Sequence, residues 1–403
     1  MMQEKKKRIV FYCVEPFVMI YKMAKIFKEK NYETVLMTMS EKERLDHKLY
    51  SKAFDKIICS NFIFTKSNVI NPLYMIKRVP SLIRFLISLR TIKPYVIIGT
   101  TGNNWQLKLI HKYLFKKKPF IYFPYDILSH FYNSIEDALE YTKPFEVEAE
   151  RYCFENADGI IHKGAPDELE SKDEFIHKDI KLSPLQLSFM PYCLKEFCVA
   201  INKNKLSKKD KQLHFAYVGH FPIDPETKKR LHVFLEETFK QGIHSHFYLK
   251  IEHLSTEEEK EHIKNLLGPF LDNKLLHLHP KLNPKEIVPE ISKYDFGFWI
   301  YSARGISEVK NGVGNKLSTY LEAGIPLIYD HKATFLDKLM KSYGLQIYFD
   351  ESNLRKIKKI LEKLDKREID KKIINARNDF DMDKNFPRLE NFIKQVVKNK
   401  NKL

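Results

Sequence analysis

Short continuous apolar runs separated by helix-length segments recur along this chain in two successive sets, and that alternation dictates parallel sheets covered on both faces. The first set runs Arg8 to Val14, Thr34 to Met37, Lys56 to Cys59, Tyr95 to Gly99, Phe120 to Phe123 and Gly159 to His162. The second runs His214 to Gly219, Phe247 to Ile251, Leu275 to His279, Phe296 to Tyr301, Leu327 to Asp330 and Gln346 to Phe349. Between them, Asn202 to Lys211 is charged, rich in Ser and Lys, and without hydrophobic period, which marks it as a linker. The expected fold is α/β, with two doubly wound domains in tandem and a cleft between them.

In open α/β sheets, ligands sit beyond the carboxyl ends of the strands. That rule nominates loops by position. In the first domain they are Glu15 to Phe17, Thr100 to Asn104 with Thr101, Gly102 and Asn103, Pro124 to Asp126 with Ser129 and His130, and Lys163-Gly164. In the second they are Gly219-His220, Lys250 with His253, Ser302 to Glu308 with Arg304, and Asn311 to Lys316. Cations and glycines dominate the second group, whereas the first offers carboxylates and imidazoles. An anionic ligand on the second domain and proton chemistry on the first are the expectation.

The segment Asn311 to Asp330 is the densest in signals. Gly312 and Gly314 allow close backbone approach, and Asn315 and Lys316 stand where a helix opens, so its first N–H groups would face an anion. Leu317, Tyr320 and Leu321 share one helical face, Gly324 suits the αL stop, and Pro326 leads into a strand. Two readings stand: a phosphate-binding crossover, or an ordinary helix-to-strand turn of an α/β core.

The net charge of +17 calls for an anionic partner: nucleic acid, lipid headgroups or phosphorylated substrates. No nucleic-acid motif accompanies the basic runs. Met75 to Lys93 interleaves Lys77, Arg78, Arg84 and Arg90 with bulky apolar residues at helical spacing. It reads either as a helix lying on an anionic membrane or as a core-facing helix with a basic edge. The apolar run Ile9 to Val14 is broken by Glu15 and Pro16 before it reaches signal-peptide length, and no run approaches the roughly 18 apolar residues of a membrane span. Five scattered cysteines fit a reducing compartment. His244 with His246 and His277 with His279 have strand spacing but no third ligand nearby, so a zinc site is not expected.

Several stretches are similar to the GT-B-fold glycosyltransferases, two Rossmann-like domains of which the second holds a nucleotide sugar and the first an acceptor. RIVFYCVEPFVMIYKMAKIFKEKNYETVLMT resembles the family's first strand, helix and second strand, and LIRFLISLRTIKPYVIIGT its next helix and strand. PFIYFPYD resembles the strand that usually ends in His-Asp, with Asp126 matching and Tyr125 in place of His, and EAERYCFENADGIIHKG the helix and strand near the end of the first domain. HFAYVGHF, SKYDFGFWIYS and, most specifically, NKLSTYLEAGIPLIY are similar to elements of the second domain. The resemblance implies an acceptor domain over residues 1–201, a donor domain over 212–378, and a C-terminal crossover helix in 379–403 that returns toward the first domain. It also implies a nucleotide-sugar co-substrate and no metal.

Donor contacts implied are Gly219, His220, Arg304, Gly314, Asn315, Lys316 and Glu322, with Thr101, Gly102 and Asn103 on the acceptor. Arg304 reads alternatively as a plain surface arginine, and Glu322 as ribose ligand or exposed helix carboxylate. If transfer inverts, Asp126 is the expected base, with His130 or Glu15 next, and Asp126 reads equally as the cap of a helix beginning near Ile127. The paired glutamates of the retaining branch are missing, Asn311 and Thr319 standing in their places, so stereochemistry stays open. Asp379, Asp381 and Asp383 read as the cap of a closing helix over 385–398 rather than a metal motif. The expectation is a transferase at the cytoplasmic face of a membrane, building a bacterial-type surface glycan on a saccharide or lipid-linked acceptor. A sugar-nucleotide epimerase of similar fold and a basic nucleic-acid-binding protein are the rivals.

Overall fold

A computed structural model describes residues 6–39, 45–60, 72–100, 104–132, 134–170, 177, 179–219, 225–249, 257–280, 282–300 and 306–402. The chain divides into two units, residues 1–190 with 385–403, and residues 191–384. Each is built on one sheet.

The first sheet contains β1 (Arg8–Cys13), β2 (Glu33–Thr38), β3 (Lys56–Cys59), β4 (Val96–Thr100), β5 (Phe120–Phe123), β6 (Gly159–His162) and β7 (Gln186–Ser188). Their order is β3-β2-β1-β4-β5-β6-β7, every pairing parallel. The second contains β8 (His214–Val218), β9 (His244–Tyr248), β10 (Leu276–His279), β11 (Phe296–Trp299), β12 (Leu327–Asp330) and β13 (Tyr348–Phe349), in the order β10-β9-β8-β11-β12-β13 and again all parallel. Both are doubly wound, with the order reversing beside the first strand of each unit. Central strands are buried on both faces, as at Ile9, Val10 and Phe11 of β1 and Phe215 to Tyr217 of β8, which explains their unbroken apolar runs.

Three segments depart from expectation. β9 begins at His244 rather than Phe247, because its buried face carries histidines that an apolar-run reading passes over. The stretch 202–211 is docked on the second unit, not extended between units: Leu206 N donates to Lys293 O at 2.9 Å, Lys205 Nζ to Ser292 O at 2.7 Å and Ser207 Oγ to Asp295 Oδ1 at 2.6 Å. The closing helix is longer than expected, Met382–Lys400, and Asp381 Oδ1 accepts from Asp383 N at 2.9 Å in its first turn. Its later part packs on the first unit through Phe386 against Phe27, Glu390 under the Tyr32 hydroxyl and Lys400 on Asp158.

Candidate active site

In the second unit the order reverses between β8 and β11, and the helix Asn315–Ala323 begins close to the carboxyl ends of these two strands. Tyr320 fixes the helix there. Its hydroxyl donates to the carbonyls of Ala216 on β8 and Phe298 on β11, each at 3.1 Å, and its ring lies where a Cβ on Gly297 would sit only 2.4 Å away. Gly297 is therefore a matter of room: its missing side chain lets the helix lie on the sheet.

The other end of that helix is held equally firmly. Gly324 takes φ +70°, the αL stop expected from sequence, and Arg377 donates to Leu321 O, Glu322 O and Val199 O. A guanidinium on the last carbonyls opposes the negative end of the helix dipole. Nothing in the sequence around Arg377 announces this, since its partners lie 55 residues or more away.

At the open amino end, Lys316 Nζ stands 4.9 Å over the Tyr217 ring and 5.7 Å over the Trp299 ring, one from each strand flanking the reversal. Two aromatic faces hold the ammonium by cation–π attraction. Gly314 is the N-cap at φ −93°, so its backbone is ordinary; a Cβ there would lie 2.8 Å from Trp299. The glycine makes space for an indole rather than for an unusual turn. Gly219, after β8, does take φ +95°, with open space where a side chain would stand. Asn315 O accepts from the hydroxyls of Ser318 and Thr319, which tightens the first turn.

Glu322 corrects the reading of an exposed helix carboxylate: it is buried, and its Oε1 accepts from Leu194 N at 2.7 Å, so the carboxylate supports a chain segment. His220, Arg304, Thr101, Gly102 and Asn103 lie outside the described residues.

In the first unit, Asp126 and Lys163 follow neighbouring strands β5 and β6, and Lys163 Nζ meets Asp126 Oδ1 at 2.6 Å. The carboxylate is 57% exposed while the lysine is buried, and the ammonium also lies 4.2 Å over the Tyr125 ring. Tyr125 packs on Phe17 at 4.3 Å, bringing the loops after β1 and β5 together; Glu15 lies exposed in the first of these. The helix that follows, Leu128–Phe131, has Ile127 as its N-cap, and Glu150 Oε1 accepts its Leu128 N–H at 2.5 Å.

His130 is fully buried. Its Nδ1 lies 3.6 Å from Glu168, a residue the sequence did not single out. Glu168 also accepts from Gly164 N at 3.1 Å and pairs with His162 Nδ1 at 2.8 Å. Burial opposes its charge, yet the nearby His130 imidazole and the His162 hydrogen bond outweigh that and hold its carboxyl down at about 2. His130 thus lies inside the wall, while Asp126 and Glu15 are solvent-facing carboxylates of this end.

No family model matches the chain, and no curated protein does. Solved structures do. HepE from Anabaena in complex with UDP-glucose aligns at TM-score 0.60 over 98% of this chain and 100% of its own, at 12% identity. Sucrose-phosphate synthase from Thermosynechococcus elongatus aligns at 0.62, again over 98% and 100%, at 10% identity, and a glycosyltransferase from Rickettsia africae at 0.57 and 12% identity. At such identities the likeness speaks for the fold, and that fold is the GT-B arrangement of two Rossmann-like units.

Proposed function

We propose that this chain is a glycosyltransferase that binds a nucleotide-sugar donor on its second unit and transfers the sugar to a hydroxyl acceptor held by the first. The observation that carries the reading is Lys316 between Tyr217 and Trp299 at the opening of the Asn315–Ala323 helix, where the strand order reverses. As the glycosidic bond breaks, negative charge grows on the leaving diphosphate. A fixed ammonium and the positive end of a helix stabilise that charge without a metal. Gly219, with open space above it, gives the diphosphate a close approach to backbone.

On the first unit, Asp126 is the group to take the acceptor proton in an inverting reaction; in a retaining one it orients the acceptor hydroxyl. Lys163 sets the direction of its carboxylate. HepE, which shares the fold, has been crystallised with UDP-glucose, so UDP leads the set of donors to be tried. A thermal-shift panel of UDP, GDP, ADP, TDP and CMP is expected to give one diphosphate that raises the melting temperature. Stabilisation by none of them would remove the donor site from this account.

The reading extends to a lipid-linked or surface saccharide acceptor at the inner face of a membrane. Support comes from the helix Pro72–Thr91, where Val79, Ile83, Leu86 and Ile87 recur on one stripe and are each at least 40% exposed, while Phe85 faces the core. Arg84, Arg90 and Lys93 beside them are exposed. Apolar residues rimmed by cations suit the interface of an anionic bilayer. Among the described residues no helix is long and apolar enough to cross a membrane. Sedimentation with vesicles containing anionic phospholipid is expected to capture the protein, and Ile83→Glu with Ile87→Glu to weaken capture about tenfold or more. Equal capture of the double variant would discard the membrane part and leave the transferase reading standing.

A further inference from the structure

One face of the second sheet carries a row of rings that the proposed reaction does not use. His214 opens β8, His244 opens β9 opposite it, and His246, Tyr248, His277 and His279 continue the face across β9 and β10. They are stacked: His214 on His244 at 4.5 Å, His246 on His277 at 4.3 Å and on Tyr294 at 4.2 Å, and Tyr248 on His279 at 4.5 Å. They are also hydrogen-bonded in plane. His214 Nδ1 meets His246 Nε2 at 2.9 Å, His246 Nδ1 meets His279 Nε2 at 3.0 Å, and His244 Nδ1 meets His277 Nε2 at 2.9 Å.

The row ends at a carboxylate. His214 Nε2 lies 2.8 Å from Asp210 Oδ2, and one ligand atom from each of Asp210, His214 and His244 lies within 4.8 Å of the other two. The sequence reading that the paired histidines lack a third ligand fails here, because parallel pairing of β8 with β9 supplies it. Asp210, with 42% of its side chain exposed, provides the way in from solvent.

We propose that Asp210, His214 and His244 bind one divalent transition ion of the zinc class, with water completing a four-coordinate shell. Two imidazoles and a carboxylate form a donor set suited to such an ion, with ligand bonds of about 2.0–2.2 Å reached by rotation of the His214 and His244 rings out of their stack. His246 and His277, hydrogen-bonded to the far side of the two ligating rings, orient them as metal-bound histidines are commonly oriented. With the ion on His214 Nε2, the His214–Asp210 hydrogen bond gives way to bonds to the metal, and His214 Nδ1–H donates to His246. The ion ties the Ser207–Asp210 turn to β8 and β9 at the amino ends of the strands, away from the loops that follow their carboxyl ends. It is a structural ion and takes no part in the transfer proposed above.

The test is titration of chelator-treated protein with Zn²⁺ alone, followed by thermal unfolding and elemental analysis after gel filtration, and with Co²⁺ for the visible absorption of a tetrahedral site. One retained equivalent, a raised melting temperature, and at least tenfold weaker binding in both Asp210→Asn and His244→Ala are expected. His232→Ala, at a histidine bonded to Leu266 O elsewhere, should bind as the parent does. Asp210→Asn keeps the size of the side chain and an acceptor oxygen, so its fold is preserved and its result stands if His244→Ala unfolds. Absence of a retained equivalent, or retention unchanged by Asp210→Asn, would overturn the assignment.

Discussion

Replacing Glu168 with alanine is expected to destabilise the first unit by about 3–5 kcal/mol, the range for removing one partner of a buried ionic cluster. The carboxylate is buried and serves the Gly164 N–H and His162, with His130 at 3.6 Å, so its removal strands these groups without water to replace it. Glu168→Gln keeps an acceptor for the Gly164 N–H and loses the charge, and is expected to fall between alanine and the parent. The melting temperature of the first unit, followed through Trp105 in a Trp299→Phe background, reads the series. A Glu168→Ala protein as stable as its parent would show that the two histidines and the Gly164 amide find other partners.

The histidine row gives the second large effect, an acid sensitivity confined to the second unit. Burial, then His277, His214, His279 and His244, push His246 down to about 2, and His244, His277 and His279 are lowered in the same direction. Among the described residues, the charged and titratable groups around the row include Asp210, Asp295, Glu290 and Lys293, with the hydroxyls of Tyr248 and Tyr294. An unfolded histidine takes its proton near pH 6.5, whereas folded His246 resists it down to about 2 and the other three rings take it below their unfolded value. The unfolded chain therefore binds more protons below pH 6.5. The stabilisation is full above that value and is lost steadily as pH falls toward the folded values.

Several such rings, discounted for their partial exposure, correspond to a drop of roughly 5 °C or more in melting temperature between pH 7.5 and 5.5. The measurement is made with chelator present. His246→Phe keeps a ring in the stack while removing the most strongly shifted group, and is expected to flatten the profile. A melting temperature constant across this interval would mean that the row accepts protons without strain.

What the sequence carried, and what it withheld, follows from the range of the interactions involved. Central strands such as β1 and β12 were legible because both their faces are apolar, and the stop at Gly324 because αL backbone favours glycine. The Asp381 cap lay one residue before the helix it serves. Lys316 could be placed at a helix opening from local spacing alone. Its aromatic neighbours could not, since Tyr217 and Trp299 meet only when β8 and β11 pair across the reversal.

Glu168 was hidden for a similar reason. Its loop, Lys163 to Leu169, has the composition of a surface turn, and only the packing of the Leu128–Phe131 helix beside β6 makes it an interior carboxylate. The histidines of β9 and β10 showed their period of two, which told which residues share a face but not which strand lies alongside. Glu322 misled because helix carboxylates are mostly exposed, whereas this one serves a backbone amide 128 residues away in sequence.

The central claim, a diphosphate held at the opening of the Asn315–Ala323 helix, is tested most directly by calorimetric titration of the stabilising nucleoside diphosphate into the parent and Lys316→Ala proteins. The predicted result is binding at one site per chain, weakened roughly 10- to 100-fold by the substitution, as befits loss of about 1.5–3 kcal/mol from a charged hydrogen bond. The melting temperature without nucleotide should be nearly unchanged, since Lys316 is partly exposed. Equal affinity in the two proteins would contradict the claim.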